Sequence, residues 1–549
     1  MWSLYYLCLL IYAFSLQALG DAKKRTLTID VVSSRIEDYL KSTQDASKYT
    51  RPIFYNSALP SGCTLACSFL AYVQPGQVSY PNDTVYVEES KYWSLQQASA
   101  LPICRFSPQS PLGVSLAVLT VRSTKCDFAI KSGGHAAFAG ASNINGGLTI
   151  DLVNLNQIML SADQKEVAVG PGNLWIDVYD ALQPKGLSVI GGRVSDIGVG
   201  GFTTGGGMSF FSGRYGWACD NVNTYEVVFA DGSIKNVSRS TDPDLYYALR
   251  GGGNNFGIVT RFDLVTFPQG DLWAGSETYI YSSDTSASLI NALYWLNINS
   301  PGDEYAQAIL AYAYERSIDT YLIVTDLQYG KPVENPSILR NFTGTRGAIS
   351  DTLRITNLTG LTAEFQSFNP KGFRQTFWTL TTKNSPVLLS QIVSIWMEEA
   401  NRVRDAANII PSINFQAYPT NLISHFSQNG GNAVGITTAD GPLVAHKAHS
   451  RILKSAPPRL LLVLQRGRPP HHGGRARRDP PREPDGTRPG PRAPVPLPYQ
   501  NYAAREQPVF PSYGPESVRK LRAASRKYDP EGVWQKLQPG YFKLFPHLI

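Results

Sequence analysis

The chain has 549 residues, of which 43% are hydrophobic, 11% aromatic and 17% charged. This length exceeds what one hydrophobic core covers, and the content of Tyr, Phe and Trp is too high for a disordered chain, so we expect two or three packed units. The one long apolar run lies at the N-terminus, which excludes a polytopic membrane protein. The net charge of +7 does not indicate nucleic-acid binding, because residues 445–498 hold 12 basic and 3 acidic residues and so account for +9.

Residues 1–20 have the features of a signal peptide. Residues 2–19 are apolar except for two serines and a glutamine, and Ala18-Leu19-Gly20 places small residues where a signal peptidase cuts. Because a basic start is missing, an uncleaved anchor is the alternative. Four Asn-x-Ser/Thr triplets fit secretion and are the expected glycosylation sites: Asn82, Asn236, Asn341 and Asn357. We expect a secreted, monomeric glycoprotein with no membrane span after cleavage.

Five cysteines follow the signal peptide: Cys63, Cys67, Cys104, Cys126 and Cys219. In a secreted protein, cysteines are expected to form disulfides. We predict one or two disulfides among the first four, with Cys219 left as a buried thiol.

The predicted elements begin with a helix from Ser33 to Lys41 in an N-terminal segment, residues 21–95. Residues 96–270 alternate short β-branched strands, glycine clusters and brief helices. Their strands are predicted at Thr149–Leu152, Val167–Val169 and Glu226–Phe229, and a helix at Trp175–Leu182.

Residues 271–444 have longer helices and alternating strands, which predicts an α+β covering domain. Strands are expected at Gln307–Tyr314 and Thr320–Gln328, and a helix from Ser385 to Ala407 with Ser385 as N-cap and Pro386 at its first position. Residues 499–549 contain a further predicted helix, Pro515–Lys527.

Residues 445–498 differ from the rest of the chain. They hold 12 of the 37 prolines, four of the seven histidines and no aromatic residue. This composition is typical of a disordered linker, although a long structureless insert inside a compact enzyme is unusual. We hypothesise a reading-frame or intron error in the gene model. Tryptic peptides from residues 452–492 in the native protein would refute it.

Three glycine clusters lie around residues 133, 200 and 252. None is a phosphate loop with its lysine, and none has the Gly-x-Gly-x-x-Gly spacing of a nicotinamide-dinucleotide fold, so a nicotinamide-dependent reductase is excluded. Successive glycines still let backbone N–H groups converge on a pyrophosphate. Any single cluster by itself fits tight strand turns in a β-rich domain better.

The order of these motifs resembles the FAD-binding domain of the vanillyl-alcohol oxidase and p-cresol methylhydroxylase (PCMH) superfamily. The match runs through Ser132-Gly133-Gly134-His135, Gly170-Pro171-Gly172, Gly191-Gly192-Arg193, Gly198-Val199-Gly200-Gly201, Gly205-Gly206-Gly207, Asp220-Asn221-Val222 and Asn255-Phe256-Gly257-Ile258-Val259. Tyr499-Gln500-Asn501-Tyr502 and Tyr528-Asp529-Pro530 resemble the C-terminal segment of berberine-bridge enzymes.

The resemblance implies an α+β fold. Two α+β subdomains would form a PCMH-type FAD-binding domain at 96–270, an antiparallel sheet with helices would form a substrate domain at 271–444, and a berberine-bridge-type segment would occupy 499–549. Backbone of the glycine loops would hold FAD, through Ser132, Gly133, Gly134, Gly198, Val199, Gly200, Gly201, Gly257, Ile258 and Val259.

The resemblance also implies a covalent bond from His135 to the flavin 8α-methyl group. Members with two covalent links use a cysteine about four residues before the Gly-x-Gly-Gly turn. Val194 stands there, so we predict a single link.

For catalysis, the resemblance assigns Tyr502 as the base, with Tyr499 and Asn501 shaping the site. A phenol has an ordinary pKa near 10, so neighbours must lower the pKa of Tyr502. The implied reaction is hydride transfer from an alcohol C–H to FAD, with dioxygen as reoxidant and hydrogen peroxide as product. The chain has no metal-ligand motif such as His-Glu-x-x-His, and no metal is expected.

The substrate is predicted to be either an oligosaccharide or a secondary metabolite. Trp378, Phe415 and Tyr418 would stack on sugars if they lined an open groove, and Gln416 is a candidate substrate contact. The rival prediction is a flavin-bearing homologue without turnover, with a binding or structural role. If residues 445–498 are a real insert, Tyr502 would not reach the flavin, and this rival prediction would be favoured.

Overall fold

Four short strands form the first sheet of the computed structural model, which describes residues 27–45, 62–405, 409–452 and 497–546. Their order is β1-β2-β4-β3, and β2 and β3 both run parallel to β4. The strands are β1 (Val78–Ser79), β2 (Cys104–Phe106), β3 (Phe128–Lys131) and β4 (Leu148–Asp151). The helices are α1 (Ile29–Asp45), α2 (Gly62–Val73), α3 (Thr84–Glu89), α4 (Leu95–Ala98) and α5 (Pro111–Thr124).

Two disulfides fasten helix α2 to this unit. Cys63 pairs with Cys126 just after α5, and Cys67 pairs with Cys104 in β2. Cys219 is a buried free thiol. The predicted cysteine pattern is confirmed. The proposed signal peptide lies outside the described residues.

A five-stranded antiparallel sheet forms the second unit, in the order β5-β6-β10-β8-β9. Its strands are β5 (Ile158–Leu160), β6 (Glu166–Val169), β8 (Val222–Val228), β9 (Ile234–Ser238) and β10 (Ile258–Val265), and β7 (Leu187–Ser188) pairs separately with β11 (Phe267–Pro268). The helices are α6 (Trp175–Leu182), α7 (Val199–Thr204), α8 (Ser212–Tyr215) and α9 (Pro243–Leu249). The first two units are the two expected α+β subdomains.

The third unit is a large antiparallel sheet in the order β15-β12-β14-β13-β18-β19-β17, with β16 paired to β12. The strands are β12 (Leu272–Ile280), β13 (Ala306–Glu315), β14 (Thr320–Tyr329), β15 (Ala348–Asp351), β16 (Arg354–Thr356), β17 (Arg374–Lys383), β18 (Ile410–Tyr418) and β19 (Leu443–Ile452). The helices are α10 (Ser283–Asn299), α11 (Arg340–Thr343), α12 (Leu358–Ser367), α13 (Pro386–Val403) and α14 (Thr420–Ser424). Helix α13 begins as predicted, because the Ser385 hydroxyl accepts from the Leu388 amide.

Strand alternation gives the large sheet two different faces. Leu310, Tyr312, Ile413 and Phe415 pack in one core with α10 and α13. Successive side chains of a strand point to opposite faces. Their neighbours therefore face away from the helices, toward the first two units.

Strand β19 corrects the predicted linker. It begins at Leu443 and continues to Ile452, pairing with β17 on one side and β18 on the other. Residues 445–452 are therefore part of the sheet, and the composition of the longer segment concealed them. Residues 453–496 lie outside the described residues, so the gene-model hypothesis stays a prediction.

The C-terminal segment contains helices α15 (Val509–Ser512), α16 (Pro515–Tyr528) and α17 (Val533–Lys536). Helices α15 and α16 pack in the core of the second unit, and α17 packs in the core of the first. The Asp529 carboxylate accepts from the amides of Val533 and Trp534, which starts α17 just after α16 ends. The predicted fold class is confirmed in all three parts. Within the described ranges, no helix combines the length and apolar character needed to cross a membrane.

Candidate active site

A cavity of about 540 Å³ is enclosed jointly by the glycine loops, the large sheet and the C-terminal segment. One side is formed by loops 132–135, 198–201 and 257–259. The other side is the helix-free face of the sheet, where strands β12, β13, β14, β18 and β19 contribute side chains.

The loop after β3 is held against two other loops. The Ser132 hydroxyl donates to the Pro171 carbonyl at 2.6 Å and accepts from the Gly200 amide at 3.1 Å. A Cβ on Gly133 would lie 2.4 Å from the Gly198 nitrogen, so this approach requires glycine. Gly134 has a φ of +70°, which also favours glycine.

Ten of the eleven predicted cofactor-binding residues, His135 included, line this cavity: Ser132, Gly133, Gly134, His135, Gly198, Gly200, Gly201, Gly257, Ile258 and Val259. Val199 is the exception among these residues, and its predicted backbone contact with FAD stays a prediction. It is the first residue of α7, and its side chain is fully buried in the core of the second unit.

The residues around the cavity fit FAD. Buried side-chain atoms at the cavity have no hydrogen-bond partner among the described residues: Arg193 Nη1, Asn414 Oδ1, Gln500 Nε2 and Asn501 Oδ1. Leaving such atoms unpaired costs about 1–3 kcal/mol each, so a polar molecule there is strongly favoured. Glycine loops beside these atoms let a dinucleotide approach the backbone.

His135 lies between a ring and a carboxylate. Its imidazole stacks on Trp93 with ring centroids 4.3 Å apart. Its Nε2 is 3.4 Å from Asp196 Oδ1, and Asp196 Oδ2 is 3.3 Å from Lys371 Nζ. The ring is thus held at the cavity wall in a defined orientation.

Tyr502 meets two cationic side chains. Arg193 Nη2 donates to the Tyr502 hydroxyl at 2.7 Å and to Gln416 Oε1 at 2.8 Å. Lys447 Nζ lies 4.7 Å from the centre of the Tyr502 ring. Burial opposes ionisation of the phenol, but the charges of Arg193 and Lys447 outweigh it and lower the pKa of Tyr502. Tyr502 is therefore equipped to act as a base.

Tyr499 and Asn501 support the site rather than supply a base. The Tyr499 hydroxyl accepts from the amides of Gly207 and Met208, at 3.1 and 2.9 Å, and from Asn501 Nδ2 at 3.0 Å. Burial raises the pKa of Tyr499. Both residues line the cavity and fix the glycine turn at 205–207.

The sheet side of the cavity carries several polar side chains. Gln416 lies there as predicted, beside Asn414 and Ser412 on β18, and Asp326 lies on β14. The Ser276 hydroxyl donates to Asp326 at 2.6 Å, and burial raises the pKa of Asp326 to about 6.

The predicted aromatic groove is wrong. Phe415 packs with the helices on the other face of the sheet, and Tyr418 is buried against Trp217. Trp378 follows Phe377 in β17, and it is Phe377 that lines the cavity. The prediction missed that neighbours on a strand face opposite sides.

Four site residues were not predicted from the sequence: Arg193, Asp196, Lys447 and His449. Arg193 and Asp196 lie close in sequence to Val194, which itself lines the cavity. Lys447 and His449 lie in the stretch interpreted as a linker. Burial and the charges of Lys447 and Arg451 hold the pKa of His449 well below its usual range. Lys447 and His449 are two positions apart on β19 and so lie on the same face of the sheet.

The four predicted glycosylation sites, Asn82, Asn236, Asn341 and Asn357, are all exposed. Exposure permits modification, which stays a prediction.

Comparison with known proteins bears on this geometry. The model of the FAD binding domain matches residues 102–238. The FAD-dependent monooxygenase tpcD of Cochliobolus heterostrophus is 34% identical over 83% of this chain and 87% of its own length. The bifunctional solanapyrone synthase of Alternaria solani is 31% identical over 88% and 90%.

Solved structures have the same fold at lower identity. Xylooligosaccharide oxidase from Myceliophthora thermophila has a TM-score of 0.67 and 20% identity, covering 85% of this chain and 98% of its own. Glucooligosaccharide oxidase from Acremonium strictum, which carries a 6-S-cysteinyl, 8α-N1-histidyl FAD, has a TM-score of 0.66 and 18% identity over 86% and 97%. A berberine bridge enzyme variant has a TM-score of 0.67 and 16% identity over 87% and 100%. The chain belongs to the FAD-dependent oxidoreductases that carry this FAD binding domain, and it has the fold of the berberine bridge enzyme and the oligosaccharide oxidases.

Proposed function

We propose that the protein is a secreted oxidase that removes a hydride from a carbon bearing a hydroxyl group and passes the electrons through FAD to dioxygen, giving hydrogen peroxide. The contact that carries this proposal is the 2.7 Å hydrogen bond from Arg193 to the hydroxyl of Tyr502. It places an activated phenol in the same cavity as the glycine loops.

FAD, when bound by the glycine loops, supplies the hydride acceptor. Tyr502, as the phenolate, accepts the proton of the substrate hydroxyl. Arg193 and Lys447 stabilise that phenolate, and Arg193 also orients Gln416. Removing the O–H proton puts negative charge on the substrate oxygen and so assists loss of hydride from its carbon.

We infer that FAD is attached through His135 alone. In support, His135 lies at the cavity wall and the apolar Val194 occupies the position of the second link. A bond to the protein prevents loss of the cofactor after secretion. Two disulfides at Cys63–Cys126 and Cys67–Cys104 fit the oxidising conditions of the secretory route.

The substrate class that we favour is a secondary-metabolite alcohol rather than an oligosaccharide. The relatives above 30% identity include a solanapyrone synthase, whereas the sugar oxidases are below 25% identity and bear on the fold alone. Phe365, Phe368 and Phe377 line the cavity together with the polar sheet residues. A compact substrate with both apolar and hydrogen-bonding groups suits these walls.

A monooxygenase is the second candidate, because the relative tpcD is named as one. A flavin-bearing homologue without turnover is less well supported, since Tyr502 reaches the cavity and its pKa is lowered.

The test is turnover under isotopically labelled dioxygen. Purified protein is mixed with a panel of polyketide-like alcohols and oligosaccharides, and peroxide and product mass are measured. One peroxide per carbonyl product, without label in the product, supports the oxidase. Labelled product would make the protein a monooxygenase, and flavin that no substrate reduces would favour the homologue without turnover.

A further inference from the structure

Asp196 faces His135 from the loop that precedes α7. Its Oδ1 is 3.4 Å from His135 Nε2, and the two side chains are 10% and 15% exposed. The other carboxylate oxygen is 3.3 Å from Lys371 Nζ. The catalytic steps assigned to Tyr502 make no use of this arrangement.

The charge on Asp196 is maintained by its neighbours. Burial acts to raise its pKa, but His135 and Lys371 outweigh burial, so the pKa of Asp196 lies below its usual range. A carboxylate beside one imidazole nitrogen favours the tautomer that carries the proton on that nitrogen. Here that nitrogen is Nε2, which leaves the lone pair on Nδ1.

Trp93 limits the alternatives open to the ring. Its indole lies nearly parallel to the imidazole, with 14° between the planes. A ring stacked this way cannot tilt freely, and Asp196 is the carboxylate beside its Nε2.

We propose that Asp196 is a positioning residue for covalent attachment of the flavin. It holds His135 as the Nε2–H tautomer, so that Nδ1 attacks the 8α-methyl carbon, and it stabilises the charge that the ring then gains. The inference rests on the covalent link through His135 in the proposed function.

The attachment balances without a further oxidant. One methyl C–H bond and the imidazole N–H bond break, and one C–N bond forms. The two electrons and two protons released reduce the flavin ring. Dioxygen, the acceptor in the proposed function, then reoxidises the ring and gives one hydrogen peroxide. Asp196 is the nearby carboxylate that first accepts the imidazole proton and then releases it, so that both protons end on the reduced ring.

The test measures attachment rather than turnover. Full-length wild type, Asp196→Asn, Lys371→Met and the control Asp163→Asn, a surface turn residue, are purified. Each is precipitated with acid, and flavin is measured in pellet and supernatant. We expect similar total flavin in all four. The covalent fraction should fall at least tenfold in Asp196→Asn, less in Lys371→Met, and remain at the wild-type level in the control.

A wild-type covalent fraction in Asp196→Asn overturns the inference, and so does an equal loss in Asp163→Asn. Wild-type protein that releases all its flavin refutes the covalent link in the proposed function, which is a separate failure. If Asp196→Asn binds no flavin, Asp196→Ala is incubated with FAD and formate. Attachment restored by formate supports the inference, and failure to restore it overturns the inference.

Discussion

Tyr502 is the residue on which the proposed chemistry depends. Its hydroxyl is the one phenol in the described cavity that a guanidinium contacts directly, at 2.7 Å from Arg193. A positioned general base contributes about 10²–10⁴-fold to a rate. Tyr502→Phe should therefore slow flavin reduction by substrate by about that factor and leave bound flavin unchanged, as stopped-flow absorbance would measure. Tyr225→Phe, a buried phenol outside the cavity, is the control. A less than fivefold effect of Tyr502→Phe would exclude its role as base.

Arg193 and Lys447 should set the pH at which Tyr502 acts. The active form is the phenolate, so kcat/KM falls as pH drops below the pKa of Tyr502. Both cations lower that pKa. Arg193→Met and Lys447→Met should each raise it and move the acidic limb of the pH profile to higher pH, so that activity lost at neutral pH is recovered in alkaline buffer. The control is Arg214→Met, because the Arg214 guanidinium stacks on Tyr305 and not on Tyr502. This variant should leave the acidic limb of the pH profile where it is.

An unchanged limb in both variants would mean that a different group titrates. Asp326, with a pKa raised to about 6, is then the candidate, and Asp326→Asn would abolish the limb.

At the scale of elements, strand β19 decides whether the large sheet is continuous. Ala448 pairs with Trp378 of β17 on one side and Ile413 of β18 on the other. Proline there removes an N–H from a central strand, and an orphaned buried carbonyl costs about 1–3 kcal/mol. Ala448→Pro should lower the unfolding free energy by at least that amount in denaturant titrations, while Ala448→Val should fold normally. Equal stability of both variants would mean that residues 445–452 do not form this strand.

Elements with a strong local signal were predictable from the sequence. Helix α6 matches its prediction from Trp175 to Leu182, and Ser385 caps α13 as expected. His135 and Tyr502 were found because each lies in an ordered motif. Lys447 and Asp196 were not, because their roles depend on partners distant in the chain. Lys447 meets Tyr502 across 55 residues, and Asp196 meets His135 across 61.

Strand register explains the remaining errors. Whether Phe415 or Gln416 faces the cavity depends on which face of β18 the helices cover, and α10 and α13 cover the face of Phe415. Composition alone does not determine which face of β18 lines the cavity. Composition also led to the assignment of residues 445–452 to a linker, because the prolines and arginines that follow them dominate the average over residues 445–498.

At the scale of the whole molecule, the cavity joins parts of the chain that are far apart. Loops near residues 133, 200 and 258, the sheet residue Gln416 and the C-terminal Tyr502 all line it. A ligand that bridges these parts stabilises them together, because it binds the assembled state and not the separated parts.

This arrangement predicts cooperative stabilisation by FAD. His135→Ala should bind FAD without a covalent bond, which makes the flavin exchangeable. At FAD concentrations 100 times Kd, binding adds about 2.7 kcal/mol to the unfolding free energy. Calorimetry should then show one unfolding transition. Its midpoint temperature should rise by a few degrees as FAD is added and return to its starting value when FAD is removed. Riboflavin, which lacks the pyrophosphate that the glycine loops would hold, should give a much smaller rise at the same concentration. Two separate transitions, of which FAD moves just one, would mean that the large sheet and the C-terminal segment do not share the site with the glycine loops.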